Sequence, residues 1–150
     1  MVNALLNNQA LSAAVLAWGL AQILKVIIYR LSSGKFDFRM LTSAGGMPSS
    51  HSAFVAGLAT AVGILDGIDS SLFATTVVFA SIVMYDASGV RRAASQQARI
   101  LNQIVEELFA GHPISEEKLK ELLGHTPIQV VAGAALGVVI GWWWLLAVQR

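Results

Sequence analysis

The sequence predicts an all-α integral membrane protein: a bundle of about four transmembrane helices with one or two amphipathic helices, in a single membrane domain over residues 1–150. Apolar residues make up 55% of the chain and charged residues 13%, whereas about a quarter of a soluble domain is charged. A membrane-spanning helix needs about 20 mostly apolar residues. We therefore assign the spans to the apolar stretches at 11–29, 49–65, 72–89 and 126–148.

The last apolar stretch has a recognisable start and a repeated small residue. Residues 126–129 read Thr-Pro-Ile-Gln, which matches a capping box with proline at the first helical position. Glycines follow at every fourth position, at Gly133, Gly137 and Gly141. Small residues at this spacing let helices approach closely in lipid, so we expect these glycines to pack against a helix. The same spacing favours a homo-oligomer formed through glycine-rich helix faces.

The polar segment before the last span contains predicted amphipathic helices. Apolar residues follow helical spacing at Leu101, Ile104, Val105 and Leu108. This spacing predicts a helix that either lies on the membrane or caps the bundle. Ser115 is a suitable N-cap for a second short helix, which Gly124 would end.

Basic residues are distributed unevenly between the two predicted sides of the membrane. The loop at 66–71 carries no lysine or arginine, whereas the segments at 30–48 and 90–125 carry most of those in the chain. The excess of positive charge predicts that these two segments are cytoplasmic. The net charge of +1 offers no field for nucleic acid, and the absence of cysteine excludes disulfides and thiolate metal sites.

The most informative run is 45–52, Gly-Gly-Met-Pro-Ser-Ser-His-Ser, which directly precedes the second apolar stretch. Gly46 lets the backbone approach a ligand closely, and the hydroxyls of Ser49 and Ser50 lie where a helix start attracts an anion. His51 adds a proton donor or nucleophile that works near neutral pH. The run predicts a phosphate pocket at the lipid–water boundary. The alternative is that the two serines only cap the helix.

Charged residues within or beside the apolar stretches are functional candidates, because a charge at the centre of a span costs about 3 kcal/mol. Lys25 either anchors its helix at the interface or binds phosphate. Asp86 either pairs with a nearby basic residue or orients a histidine. Arg91 and Arg92 either contact lipid headgroups and set the topology, or clamp phosphate oxygens.

His125 immediately precedes the predicted start of the last span, on the same side of the membrane as His51. If the two helix starts converge, they form one anion site with two imidazoles. Such a site suits phosphoryl transfer through a phosphohistidine: one histidine attacks phosphorus and the other protonates the leaving oxygen. Lysine, arginine and backbone N–H groups would stabilise the phosphate oxygens, and neither a metal ion nor a cofactor is needed.

These runs carry a resemblance to a known family. Residues 45–53 resemble the P-S-G-H motif of the phosphatidic acid phosphatase type 2 superfamily. Residues 85–92 and 124–127 resemble a divergent bacterial and plastid branch of that superfamily, and the likeness extends over about 21–141. The resemblance implies a bacterial inner membrane or a plastid-type membrane, with the active site facing the cytoplasm.

The resemblance also implies roles for individual residues. His51 corresponds to the acid of the second motif and His125 to the nucleophile of the third. Phosphate-binding residues are implied at Lys25 or Lys35 with Arg39, and at Arg91 or Arg92. The chain departs from the pattern at Ser50, where the family has glycine, and at Gln129, where the family has an orienting aspartate; Asp86 is the candidate to take that role.

The leading predicted function is a membrane phosphatase that hydrolyses a lipid phosphate or a prenyl pyrophosphate. Two other classes stay open at this point. One is a non-catalytic membrane protein or scaffold that binds lipid phosphates. The other is a small transporter, since Lys25 and Asp86 are charges within the membrane. In each case the expected partner is a membrane lipid or lipid phosphate.

Overall fold

The computed structural model describes residues 7–36, 46–108 and 124–148, and the side chains at 91, 92, 95, 106 and 107 are left out of that description. The described residues form helices and no strand, so the all-α class is confirmed. The helices, in chain order, are α1 (Gln9–Ser33), α2 (Ser50–Leu65), α3 (Ser71–Ser88), α4 (Val90–Leu108) and α5 (Pro127–Val148).

Short polar residues and glycines mark the helix ends, as local capping chemistry requires. The side chain of Asn8 accepts a hydrogen bond from the Leu11 N–H at 3.0 Å and caps α1. Ser70 caps α3 in the same way, through the Phe73 N–H at 3.1 Å. At the other end of α1, Gly34 has a φ of 69° and donates its N–H to the Arg30 carbonyl.

Helix α2 lies at the centre of the bundle, in contact with α1, α3 and α5. It runs antiparallel to α1, because Ala53 clusters with Ala17 and Ala21 while Ala61 clusters with Ala13. It runs parallel to α5, with which it makes its most extensive contact. The starts of α2 and α5 and the ends of α1 and α3 therefore lie at the same end of the bundle.

The glycine repeat of α5 forms the contact with α2. A Cβ atom on Gly133 would meet the Ser49 carbonyl oxygen, and one on Gly137 would meet that of Ala53. A Cβ atom on Gly141 would lie 2.9 Å from the Gly57 oxygen. These glycines thus pack against a helix of their own chain, as expected from their spacing. A homo-oligomer stays a prediction, and it would have to use other helix faces.

Three helices, α1, α3 and α5, are long and apolar enough to cross a membrane by themselves. Helix α2 is also apolar but has only 16 residues, which span about 24 Å against a hydrocarbon thickness of about 30 Å. The prediction of about four spans thus corresponds to three full-length candidates and one shorter helix packed among them. Large apolar side chains on the outer faces, such as Val78, Phe79 and Ile82, are exposed, as expected of surfaces that face lipid.

The predicted amphipathic helix is observed as α4, which is longer than the spacing of its apolar residues indicated. Among the described helices, α4 contacts only α3. Its apolar side chains Ile100, Leu101, Ile104 and Leu108 are exposed, so they do not pack against the other described helices, and their contact with the membrane surface stays a prediction. The second short helix expected at Ser115 lies outside the described residues.

Candidate functional site

The start of α2 is organised by serines. The Ser49 hydroxyl caps the helix: it accepts hydrogen bonds from the Ser52 N–H at 3.4 Å and from the Ser52 hydroxyl at 3.0 Å. Ser49, Ser50 and Ser52 are almost completely buried. Ser49 therefore caps the helix, as one of the two alternatives expected, while a contact of Ser49 or Ser50 with phosphate stays a prediction.

The start of α5 forms the capping box expected from 126–129. Gln129 Oε1 accepts a hydrogen bond from the Thr126 N–H at 3.1 Å, and the Thr126 hydroxyl accepts one from the Gln129 N–H at 3.4 Å. Two further backbone hydrogen bonds tie this helix start to its neighbours. The Ser49 N–H donates to the Gln129 carbonyl and the His125 N–H to the Ala87 carbonyl, each at 3.0 Å. Helices α2, α3 and α5 are thus joined at one end.

The two candidate histidines lie side by side at this end. The ring centroids of His51 and His125 are 6.4 Å apart, with their planes at 63°. His51 is exposed, whereas only 2% of the surface of His125 is exposed. Each ring lies at the start of a helix, and because α2 and α5 are parallel, the positive ends of both helix dipoles point to the same region. The last turn of α3, where the dipole is negative, lies beside them, since its Ala87 carbonyl accepts the His125 N–H.

The hydrogen bonds of Gln129 determine which nitrogen of His125 carries a hydrogen. A backbone N–H can only donate, so the amide atom that faces the Thr126 N–H must be the oxygen. The same oxygen lies 3.1 Å from His125 Nδ1. Nδ1 must therefore be the donor, and in the neutral ring Nε2 keeps its lone pair. This is the form in which an imidazole attacks phosphorus.

Lys25 belongs to the same level of the bundle. Because α1 and α2 are antiparallel and Ala21 packs against Ala53, Lys25 lies about level with Ser49. Only 1% of its surface is exposed, so its side chain is inside the bundle rather than at the membrane interface. Helix α1 continues to Ser33, about 12 Å beyond Lys25. Lys25 and the start of the short helix α2 therefore both lie below the end of α1.

Some of the other predicted site residues are placed by the structure, and the rest lie outside the described residues. Asp86 is half-buried in the last turn of α3, next to the residue that binds the His125 N–H. Gly46 has a φ of 93°, a conformation that favours glycine. Lys35 is exposed beyond the end of α1 and is not brought to the histidines by any described contact. Arg39 and the side chains of Arg91 and Arg92 lie outside the described residues.

Sequence reasoning missed two of the contacts that position His125. The sequence placed Gln129 in the capping box with Thr126 and as a departure from the aspartate of the family, but not as a partner of His125, although its spacing of four residues puts its amide within reach of that ring. The bond to the Ala87 carbonyl has no sequence signal, because any residue supplies a carbonyl.

Comparison with known proteins agrees with the resemblance read from the motifs. A family model described as "Divergent PAP2 family" matches residues 6–140. The uncharacterized membrane protein YuiD of Bacillus subtilis (strain 168) is 44% identical over 147 residues, which cover 91% of this chain and 93% of that protein. No solved structure matches the chain. Because the family model covers most of the chain and the relative is similar over nearly its whole length, this membrane protein belongs to the divergent PAP2 family.

Proposed function

We propose that the protein is a membrane phosphatase that hydrolyses a lipid phosphate or a prenyl pyrophosphate through a phosphohistidine intermediate. The observation that carries this proposal is the pairing of His51 with His125 at 6.4 Å, with His125 held by Gln129 in the tautomer that leaves the lone pair on Nε2. Membership of a phosphatase-related family supports the same reaction class.

In the first step, His125 Nε2 attacks phosphorus. The new N–P bond forms as the P–O bond to the lipid alcohol or to the leaving phosphate breaks. The leaving oxygen takes a proton from His51. The exposure of His51 suits this role, because an acid that is open to water can be reprotonated between turnovers. The buried position of His125 suits a nucleophile that must keep a fixed direction of attack.

In the second step, water attacks the phosphohistidine. His51, now neutral, accepts a proton from that water, the N–P bond breaks, and inorganic phosphate leaves. His125 returns to its neutral form with the hydrogen on Nδ1, where Gln129 Oε1 accepts it. The two histidines are then ready for another cycle.

Positive charge is required where the phosphate oxygens gain charge in the transition state. Lys25 is the described cation at the level of the histidines, and the starts of α2 and α5 add the positive ends of their dipoles. Arg39, Arg91 and Arg92 are proposed to complete the phosphate site, as their places in the family motifs imply. Gly46 and Ser50 are proposed to supply backbone N–H groups.

Phosphate release from a panel of detergent-solubilised lipid phosphates and prenyl pyrophosphates tests the proposal. We expect release that survives chelation with EDTA and is inhibited by vanadate, which imitates five-coordinate phosphorus. Activity that disappears with EDTA and returns with Mg²⁺ would rule out the phosphohistidine route. Binding of lipid phosphates without any release would favour the non-catalytic scaffold and would point to the amide of Gln129, in place of a carboxylate, as the reason for the missing turnover.

The proposed orientation places the histidine end of the bundle at the cytoplasmic side of a bacterial inner or plastid-type membrane. The chain has no cysteine, so single cysteines introduced at Ser33 and Asp69 report on opposite ends of the bundle. In intact cells, we expect a membrane-impermeant maleimide to label Asp69→Cys and to label Ser33→Cys only after permeabilisation. Labelling of Ser33→Cys in intact cells would reverse the orientation.

A further inference from the structure

An apolar groove of about 500 Å³ lies between α2, α3 and α5, away from the contact of α2 with α1. Helices α3 and α5 flank it and contact each other little, so part of α2 forms its floor. Its lining includes Ala59, Gly63, Phe73, Val77, Val138 and Trp142. Because α3 and α5 are candidate membrane spans, the groove opens to the hydrocarbon of the bilayer.

The groove offers no polar group that requires a polar ligand. Its hydroxyls belong to Thr60 and Ser81, and each donates to a carbonyl of its own helix: Thr60 to Ala56 at 2.8 Å and Ser81 to Val77 at 2.9 Å. The remaining lining is apolar. A ligand that fits this groove is therefore a hydrocarbon.

The groove begins at the histidine end of the bundle. Met84 and Ala134 line it there: Met84 lies two residues before Asp86, and Ala134 follows the glycine that packs on the Ser49 carbonyl. The hydrogen bond from His125 to Ala87 joins the two flanking helices at the same end. The groove therefore ends near the candidate phosphate site, two residues along α3 from Asp86.

The length of the groove matches one lipid chain. Met84 and Phe73 line it near its two ends, and the 11-residue separation along α3 corresponds to about 16 Å. The hydrocarbon of one leaflet is about half of the 30 Å core, or about 15 Å. A single extended chain therefore matches the groove in length.

We propose that this groove binds one hydrocarbon chain of the lipid whose phosphate lies at His51 and His125. The inference rests on the proposed function for the position of the phosphate, but chain binding can be measured without turnover. The groove selects substrates with a long chain, holds that chain between α3 and α5, and aligns the phosphate for attack by His125. Water-soluble phosphates have no hydrocarbon chain, so the groove does not contribute to their binding.

The first experiment measures binding alone. Wild-type protein in bilayer nanodiscs is irradiated with a long-chain alkyl phosphate that carries a diazirine on its chain, and adducts are mapped by mass spectrometry. We expect adducts on Val138 and Trp142, which line the groove, in excess of those on Val139 and Trp143, which are equally exposed but lie outside it. Equal labelling of the four positions would overturn the proposal, since it would indicate only lipid around the bundle.

The second experiment measures turnover with a matched pair of variants. Val138→Trp adds bulk inside the groove, and Val139→Trp adds the same bulk on the neighbouring lipid-facing position. We expect Val138→Trp to lower kcat/KM for a palmitoyl-chain lipid phosphate about tenfold, while p-nitrophenyl phosphate is hydrolysed at an unchanged rate. Val139→Trp should leave both rates unchanged.

The outcomes separate the groove from the proposed function. If both tryptophan variants lower turnover equally, the groove does not bind the lipid chain, and the proposed phosphatase activity is unaffected by that result. If the groove is labelled preferentially but no phosphate is released, chain binding is supported and the proposed phosphatase activity is contradicted. If a second copy of the chain fills the groove, Val138→Cys will form a disulfide-linked dimer in membranes while Val139→Cys does not, and the proposal is then wrong.

Discussion

Replacing His125 with alanine should reduce phosphate release by about a thousandfold or more, because no other described side chain is held in a position to attack phosphorus. His51→Ala should have a different signature. The loss should be about a hundredfold or more on lipid phosphates, whose alkoxide leaving group needs a proton, and much smaller on p-nitrophenyl phosphate, whose leaving group does not. Steady-state rates with both substrates distinguish the two roles.

The third histidine of the chain, His112, lies outside the described residues and has no part in the proposed mechanism, so His112→Ala is the matched control for these variants. Each variant should also be compared with wild type by thermal unfolding in detergent, so that loss of fold is not mistaken for loss of chemistry. Full activity of His125→Ala in a folded protein contradicts the mechanism. Equal losses on the two substrates for His51→Ala would remove its role as the acid.

Changing Gln129 to leucine should lower turnover by about a hundredfold, because the His125 ring loses the acceptor that sets its tautomer and direction. The same change removes a capping bond from the start of α5, at a cost in stability of about 1 kcal/mol. Gln129→Glu keeps an oxygen acceptor for both the Thr126 N–H and the ring, and should therefore rescue most of the activity.

The pH profile separates a positioning role of Gln129 from a purely structural one. A carboxylate at this position stabilises the protonated imidazolium of His125, whereas attack on phosphorus requires the neutral ring. In Gln129→Glu, the acid limb of the kcat/KM profile should therefore move to higher pH relative to wild type. An unchanged limb, with the same rate loss in both variants, would show that Gln129 only caps the helix.

The sequence was sufficient to predict most of the helices. The apolar stretch at 49–65 corresponds to α2 within one residue, and the capping box at Thr126 marks the start of α5 as observed. These predictions succeed because hydrophobic length and capping are local properties of the chain. The family, read from the motifs around His51 and His125, is confirmed for the same reason: its signals are short and local.

Features that depend on contacts between helices could not be read in the same way. The burial of Lys25 depends on the register of α1 against α2, and the spacing of the alanines along each helix does not specify that register. The proximity of the two histidines depends on α2 and α5 being parallel neighbours, separated by 60 or more residues of chain. The spacing of Gln129 is visible in the sequence, but its role in orienting His125 follows only from the position of its oxygen between the Thr126 N–H and the His125 ring.

The close contact of α2 with the glycine face of α5 has a consequence for the biosynthesis of the protein. Helix α5 leaves the ribosome after the other described helices, and it carries both the glycine face that packs against α2 and the helix start at which His125 is fixed. A nascent or truncated chain that ends before α5 contains His51 and Lys25 but lacks His125. The pair of histidines is therefore assembled only after α5 has been made and packed against α2.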